Sequence, residues 1–266
     1  MNQKFKKLLA VAMIGMTIFA NVTAFTTFEG DFEDIPKPVD GTDYSRIDNS
    51  GEKYGYIPQG IIEASDEDIK NSLLQIPKED SSSAIYEKEP NERATWYMLS
   101  NIGSNFTYYG QEQANTCGPA CVKMALKYLT GTAYSEATIA TGCGTTPTGT
   151  PIGNMCTYIN SMQTVNAYYF QYSANLTTMQ NNLFSGIVTY DAPPIIGVTE
   201  KTVYTFPYNS TSGHAVLIYG VKSDKSEMAI ADPWAGYLGD YSNAFYSVGA
   251  GNLHLAYSVT YYGYMY

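Results

Sequence analysis

Histidine is almost missing from this chain of 266 residues: there are two, His214 and His254. Cysteine is scarce too, four in all and none before Cys117. The four lack the paired spacing of a metal site and the nearest histidine is far along the chain, so no metal and no other cofactor is expected. Charge is sparse, at 15% of residues, and positive charge sparser still: 15 Lys and Arg stand against 25 Asp and Glu, a formal net charge of −10. A nucleic-acid partner calls for a basic face, so that class is excluded. Long apolar runs are absent apart from Leu8 to Ala20, which falls short of the ~20 apolar residues of a spanning helix. No internal repeat is visible.

What is present is aromatic and apolar. Tyrosine alone numbers 25, enough for a packed core with half-buried strands. The apolar run near the start follows Lys4, Lys6 and Lys7 and precedes Val22-Thr23-Ala24, a small-residue cleavage pattern. Residues 1–24 therefore read as a signal peptide, and the rest as a secreted chain with no stable membrane insertion.

Charge divides that chain in two. From Phe25 to Ser100 there are 17 acidic and 7 basic residues; from Asn101 to Tyr266 there are 8 and 5. The acidic part, residues 25–96, is rich in turn formers, and only Asp66 to Leu74 has a helical pattern, with Ser65 as its cap. Such a stretch buries too little to order itself and reads as a linker or pro-segment. If it is a pro-segment, Tyr54, Tyr56, Ile57, Ile61 and Ile62 supply apolar contacts across a cleft, and the polar stretch Ser81 to Arg93 is a place for proteolytic nicking.

Residues 97–266 have a different character. Helical spacing predicts helices over Gln113–Leu129, with its start near Cys117, and over Ser135–Thr141, Ile152–Met162 and Leu176–Phe184. Short apolar runs bounded by Gly, Pro, Asp and Ser predict strands over Pro194–Thr199, Ala215–Val221, Met228–Ala231 and Ala256–Tyr264. Helices followed by strands indicate an α+β fold.

Three pieces carry chemistry. Cys117 opens a helix, where the dipole favours the thiolate and backbone N–H groups can meet an oxyanion. Gln111, six residues earlier, can add its side-chain amide. His214 follows Gly213 at the start of a strongly apolar strand, whereas His254 sits between two leucines and reads as structural. Asp232 ends the next apolar strand, just before Pro233. If the two strands are antiparallel neighbours across the polar turn Ser223–Ser226, the end of the second comes beside the start of the first. Asp232 then holds one ring nitrogen of His214 and leaves the other for the thiol. Cys121, one turn beyond Cys117, packs inward. Cys143 and Cys156 flank a Gly-, Thr- and Pro-rich loop, and whether they pair as a disulfide is left open by spacing alone.

The order Gln111, Cys117-Gly118-Pro119-Ala120, Gly213-His214, Asp232-Pro233-Trp234 resembles the papain-like cysteine peptidases, in particular the bacteriocin leader-peptide peptidases and their stand-alone secreted relatives. The resemblance covers roughly Tyr97 to Tyr266. It implies a papain-like fold, a peptide or protein substrate, and Cys117 as nucleophile, His214 as base, Asp232 as the residue that orients it and Gln111 as an oxyanion donor. Hydrolysis is the leading expectation. Acyl transfer or deamidation would use the same residues, and a non-catalytic binding module is the third reading.

Overall fold

The structure is a computed structural model that describes residues 26–46, 60–63, 94–201, 204–210, 212–259 and 262–266. The signal sequence, Tyr54, Tyr56, Ile57, the expected helix from Asp66 to Leu74 and the stretch from Ser81 to Arg93 lie outside these residues. Among them, no helix is long and apolar enough to cross a membrane.

The fold is α+β. In chain order the strands are β1 (Thr26–Phe28), β2 (Val39–Asp40), β3 (Ile61–Ile62), β4 (Trp96–Met98), β5 (Thr107–Tyr108), β6 (Thr150–Pro151), β7 (Phe170–Gln171), β8 (Ile195–Thr199), β9 (Gly213–Lys222), β10 (Glu227–Ala231), β11 (Phe245–Gly249) and β12 (Tyr264–Met265). The helices are α1 (Ile102–Asn105), α2 (Cys117–Thr130), α3 (Glu136–Gly142), α4 (Ile152–Met162), α5 (Leu176–Val188), α6 (Pro233–Leu238) and α7 (Ala250–Ser258). An eight-stranded sheet is built around β9. One edge of β9 pairs with β8 along its first half and with β4 at its end, and the other edge pairs with β10; all three pairings are antiparallel. β9 is apolar on both faces and buried along nearly its whole length, as a strand covered on both sides must be.

Helix α2 packs on β9 and is buried from Cys117 to Leu126. It starts at Cys117 rather than Gln113, because residues 111–116 form a tight turn. Pro119 falls in the first helical turn, where its missing N–H costs nothing. Gly131, at φ 72°, ends the helix in a left-handed cap that donates to the Lys127 carbonyl. The expected helix from Leu176 continues to Val188.

One expected strand is wrong. Among the described residues of that stretch there is no such strand: α7 covers Ala250–Ser258, and Tyr264–Met265 is extended. Leu253 and Leu255 look like an alternating pair, but Leu253, Ala256 and Tyr257 are buried while Leu255 is 49% exposed, which is helical spacing. β11 and α6 had no clear periodic signal, being short.

The described parts of the acidic segment are held by the domain. β1 extends the sheet edge along β4, which straddles the expected boundary at residue 97, and β2 pairs in parallel with β5. β3 pairs in parallel with β6.

Candidate active site

The turn from His214 to Asp232 forms as the sequence suggests. β9 and β10 are antiparallel neighbours with Ala231 opposite Leu217, so the end of β10 comes back beside the start of β9. Asp232 leaves the sheet and caps α6, with Pro233 at the first helical position and the Trp234 N–H donating to Asp232 Oδ1 at 2.9 Å. The same Oδ1 lies 2.8 Å from His214 Nε2. One carboxylate oxygen thus fixes both a helix start and an imidazole. The Tyr108 hydroxyl ties this corner further: it donates to the Asp232 carbonyl at 2.7 Å and accepts from Gly236 N–H at 2.8 Å.

With Nε2 committed to Asp232, the nitrogen of His214 left without a hydrogen-bond partner is Nδ1, and it is buried. Cys117 stands at the N-terminus of α2, the end of the helix dipole that attracts negative charge. Its Sγ accepts from the N–H of Ala215, the residue after His214, at 3.3 Å. Burial alone would depress the imidazole, but the charge of the Asp232 carboxylate beside it outweighs this and holds His214 well above its ordinary value. Such an environment favours the imidazolium form of His214.

Gln111 is fully buried, and its backbone N–H donates to the Pro233 carbonyl at 3.1 Å, next to Asp232. Its side-chain amide donates to the carbonyls of Gln113 at 2.7 Å and Ala114 at 3.0 Å. Both amide protons are thereby engaged in the turn that leads into Cys117. The structure therefore brings Cys117, His214 and Asp232 together, with Gln111 adjoining them and its amide directed at the turn.

His254 lies on α7 with Nε2 3.0 Å from the Ala174 carbonyl. All four cysteines are free thiols. Cys121 donates to the Ala215 carbonyl at 3.5 Å, and burial pushes it well above an ordinary thiol. Burial pushes Cys143 and Cys156 up to about 12. Nucleophilic character is thus suppressed at these three.

Two site residues escaped sequence reasoning. Glu200 is fully buried just beyond β8, and the Tyr246 hydroxyl lies 3.0 Å from its Oε1 and 2.9 Å from Asp232 Oδ2. Burial, and next the Asp232 charge, raise Glu200 far above the usual carboxylate range, which favours its neutral form. A charged residue closing the largely apolar run Ile195–Thr199 was the available signal, the same one that marks Asp232. Tyr246, one of 25 tyrosines, offered none. Glu200, His214 and Asp232 each offer a ligand-type atom within 4.8 Å of the others, but Asp232 Oδ1 already accepts two hydrogen bonds, so the trio is organised as a hydrogen-bond network.

The model of the Peptidase_C39 like family matches residues 104–252, more than half of the chain and the span that holds Gln111, Cys117, His214, Glu200 and Asp232. Among solved structures, the peptidase domain of Streptococcus ComA, a bi-functional ABC transporter involved in a quorum-sensing pathway, is similar at 19% identity and a TM-score of 0.40, over 59% of this chain and 93% of that one. No curated protein matches the chain.

Proposed function

The chain belongs to the Peptidase_C39-like family of cysteine peptidases, and on that premise we propose that it is a secreted enzyme that hydrolyses peptide bonds through a thioester on Cys117. One observation carries the reading: His214 is tied to Asp232 through Nε2, while Cys117 Sγ sits at a helix start 3.3 Å from the backbone of the residue after His214. The residues divide the work as follows. The Cys117 thiolate attacks the substrate carbonyl carbon, forming a C–S bond and an oxyanion. N–H groups at the start of α2 stabilise that charge, and Gln111 adds its amide when substrate draws it from the turn. The His214 imidazolium gives its proton to the departing amine as the C–N bond breaks. Water then attacks the thioester, His214 takes the water proton, and the acid product leaves with the thiolate regenerated. Asp232 keeps the ring oriented through both steps. Secretion is supported by Lys4, Lys6, Lys7, the apolar run to Ala20 and the Val22-Thr23-Ala24 pattern.

The test is mass spectrometry of a peptide library exposed to the purified protein, both intact and after limited proteolysis. New peptide termini are expected, lost in Cys117→Ala and kept in Cys121→Ala. Cleavage that survives Cys117→Ala, or none in either form of the wild-type protein, would sink the reading.

A further inference from the structure

The candidate nucleophile is closed off. Cys117 is 1% exposed and His214 0%, and what covers them is a piece of the chain itself. Gly60 lies directly on the sulfur: a Cβ built on it would stand 2.3 Å from Cys117 Sγ. Its N–H donates at 2.8 Å to the carbonyl of Gly213, the residue before His214. Its carbonyl accepts at 2.9 Å from Thr150 N–H on the opposite wall. Gly60 therefore spans the cleft from the sheet side to the helical side, held by backbone at both ends.

The next residue anchors it. Ile61 is fully buried, and its side chain fits between the start of α2 and β8: a Cβ on Gly118 would meet Ile61 Cδ1 at 3.3 Å, and one on Gly197 would meet Cγ2 at 3.4 Å. Ile61 and Ile62 pair in parallel with Thr150 and Pro151. The wall beneath is equally bare, since a Cβ on Gly149 would come within 2.5 Å of the Gly60 carbonyl carbon. Glycine faces glycine where the two segments cross, which is how backbones approach this closely.

This contact is tight but not poised for reaction. The Gly60 carbonyl is committed to Thr150 rather than to the N–H groups at the start of α2, and the Gln111 amide is turned toward Gln113 and Ala114. An attacking sulfur here would find no stabilised oxyanion at this carbonyl. We infer that the strap formed by residues 60–63 is an intramolecular occupant of the substrate cleft, one that blocks Cys117 without being a substrate, so that the chain acts only after the strap is displaced. The inference rests on the reading of Cys117 as the reactive thiol, but its test does not require any peptide to be cut.

Accessibility of the sulfur is the readout. The full chain is treated with a neutral thiol alkylator, and the rate at Cys117 is followed by peptide-mapping mass spectrometry, with Cys121, Cys143 and Cys156 as internal references. Gly60→Val puts a side chain where the sulfur is, and Ile61→Ser removes the anchor without adding bulk. Cys117 is expected to react slowly in the wild type and about tenfold faster or more in both variants, the factor that loss of one buried aliphatic side chain brings to a local opening. A cooperative melt shows that each variant is folded, and Ile61→Ser keeps the test valid should Gly60→Val fail to fold. Equal Cys117 rates in the wild type and Ile61→Ser overturn the inference. Faster alkylation with no peptide cleavage upholds the strap and counts against the proposed function instead, so the two fail separately.

Discussion

At the residue scale, the site turns on how three buried oxygens share two protons. Asp232 Oδ2, the Tyr246 hydroxyl and Glu200 Oε1 lie in a row, with neighbours 2.9 and 3.0 Å apart. The hydroxyl has one proton to give, and Asp232, which carries the charge that His214 needs, is its best acceptor. Glu200 must then hold its own proton, in agreement with the strong upward displacement that burial gives it. Glu200 is a positioning residue in this scheme and works as a neutral acid. Glu200→Gln, uncharged and of the same shape, is expected to keep kcat within about threefold and leave the pH profile unmoved. Tyr246→Phe removes one hydrogen bond to a carboxylate and is expected to lower kcat roughly tenfold or more with KM little changed. Steady-state kinetics across pH checks both. A Glu200→Gln enzyme as weak as Asp232→Ala would mean that Glu200 acts as an anion.

At the scale of elements, the start of α2 depends on a second buried acid. Glu136, on α3, accepts from the Glu112 N–H at 2.8 Å and from the Thr116 hydroxyl, and so shapes the turn just before Cys117. Burial raises its carboxyl from the ordinary 4.5 to about 7. A carboxyl raised in the folded state stabilises the fold below its unfolded value, and that contribution is lost as pH rises through the folded value. The window is therefore from pH 4.5 to about 7, and the loss is about 3 kcal/mol. Glu136→Gln keeps the acceptor and removes the titration. Denaturant unfolding at pH 5 and pH 8.5 is expected to show wild type losing about 2.5 kcal/mol more than the variant between the two, since pH 5 already lies inside the window. Parallel losses would place Glu136 outside this balance. The elements that hold the candidate site were legible in sequence because each candidate residue ends or begins an apolar run: Cys117 a helix, His214 and Asp232 two strands. The turn between the two strands was legible because Ser223–Ser226 is polar. The elements missed are those whose reason for existing is tertiary. β3 is two residues long and exists only because β6 and Gly213 receive it. α7 hides its spacing behind Leu253 and Leu255, and β11 is extended only because β10 lies beside it.

At the scale of the whole molecule, the acidic segment has two jobs, and they separate along the chain. Residues 60–63 cover the cleft. Residues 26–46 are part of the fold: β1 pairs with β4, Phe32 packs edge-on against Trp96 at 5.8 Å, and Ile35 is buried in the core. The Gly110 N–H donates to Thr42 Oγ1, the Gly41 N–H to the Tyr108 carbonyl, and Arg46 pairs with Glu112 at 3.1 Å. Through Tyr108, this belt reaches the corner that holds Asp232. The exposed Arg46 pair adds little. The burial of Ile35 with parts of Phe28 and Phe32 is worth about 3–5 kcal/mol. A chain beginning at residue 94 is therefore expected to melt about 10 °C below one beginning at residue 25. Ile61→Ser in the longer chain opens the cleft but keeps the belt, so its melting temperature should fall by less than half as much. Calorimetry of the three proteins at one pH and salt concentration decides the matter. Equal melting temperatures for the chains starting at 25 and 94 would make residues 26–46 a mere spacer. The predicted order, with Ile61→Ser between them, would mean that an accessible Cys117 is better obtained by moving the strap than by cutting away everything before residue 94.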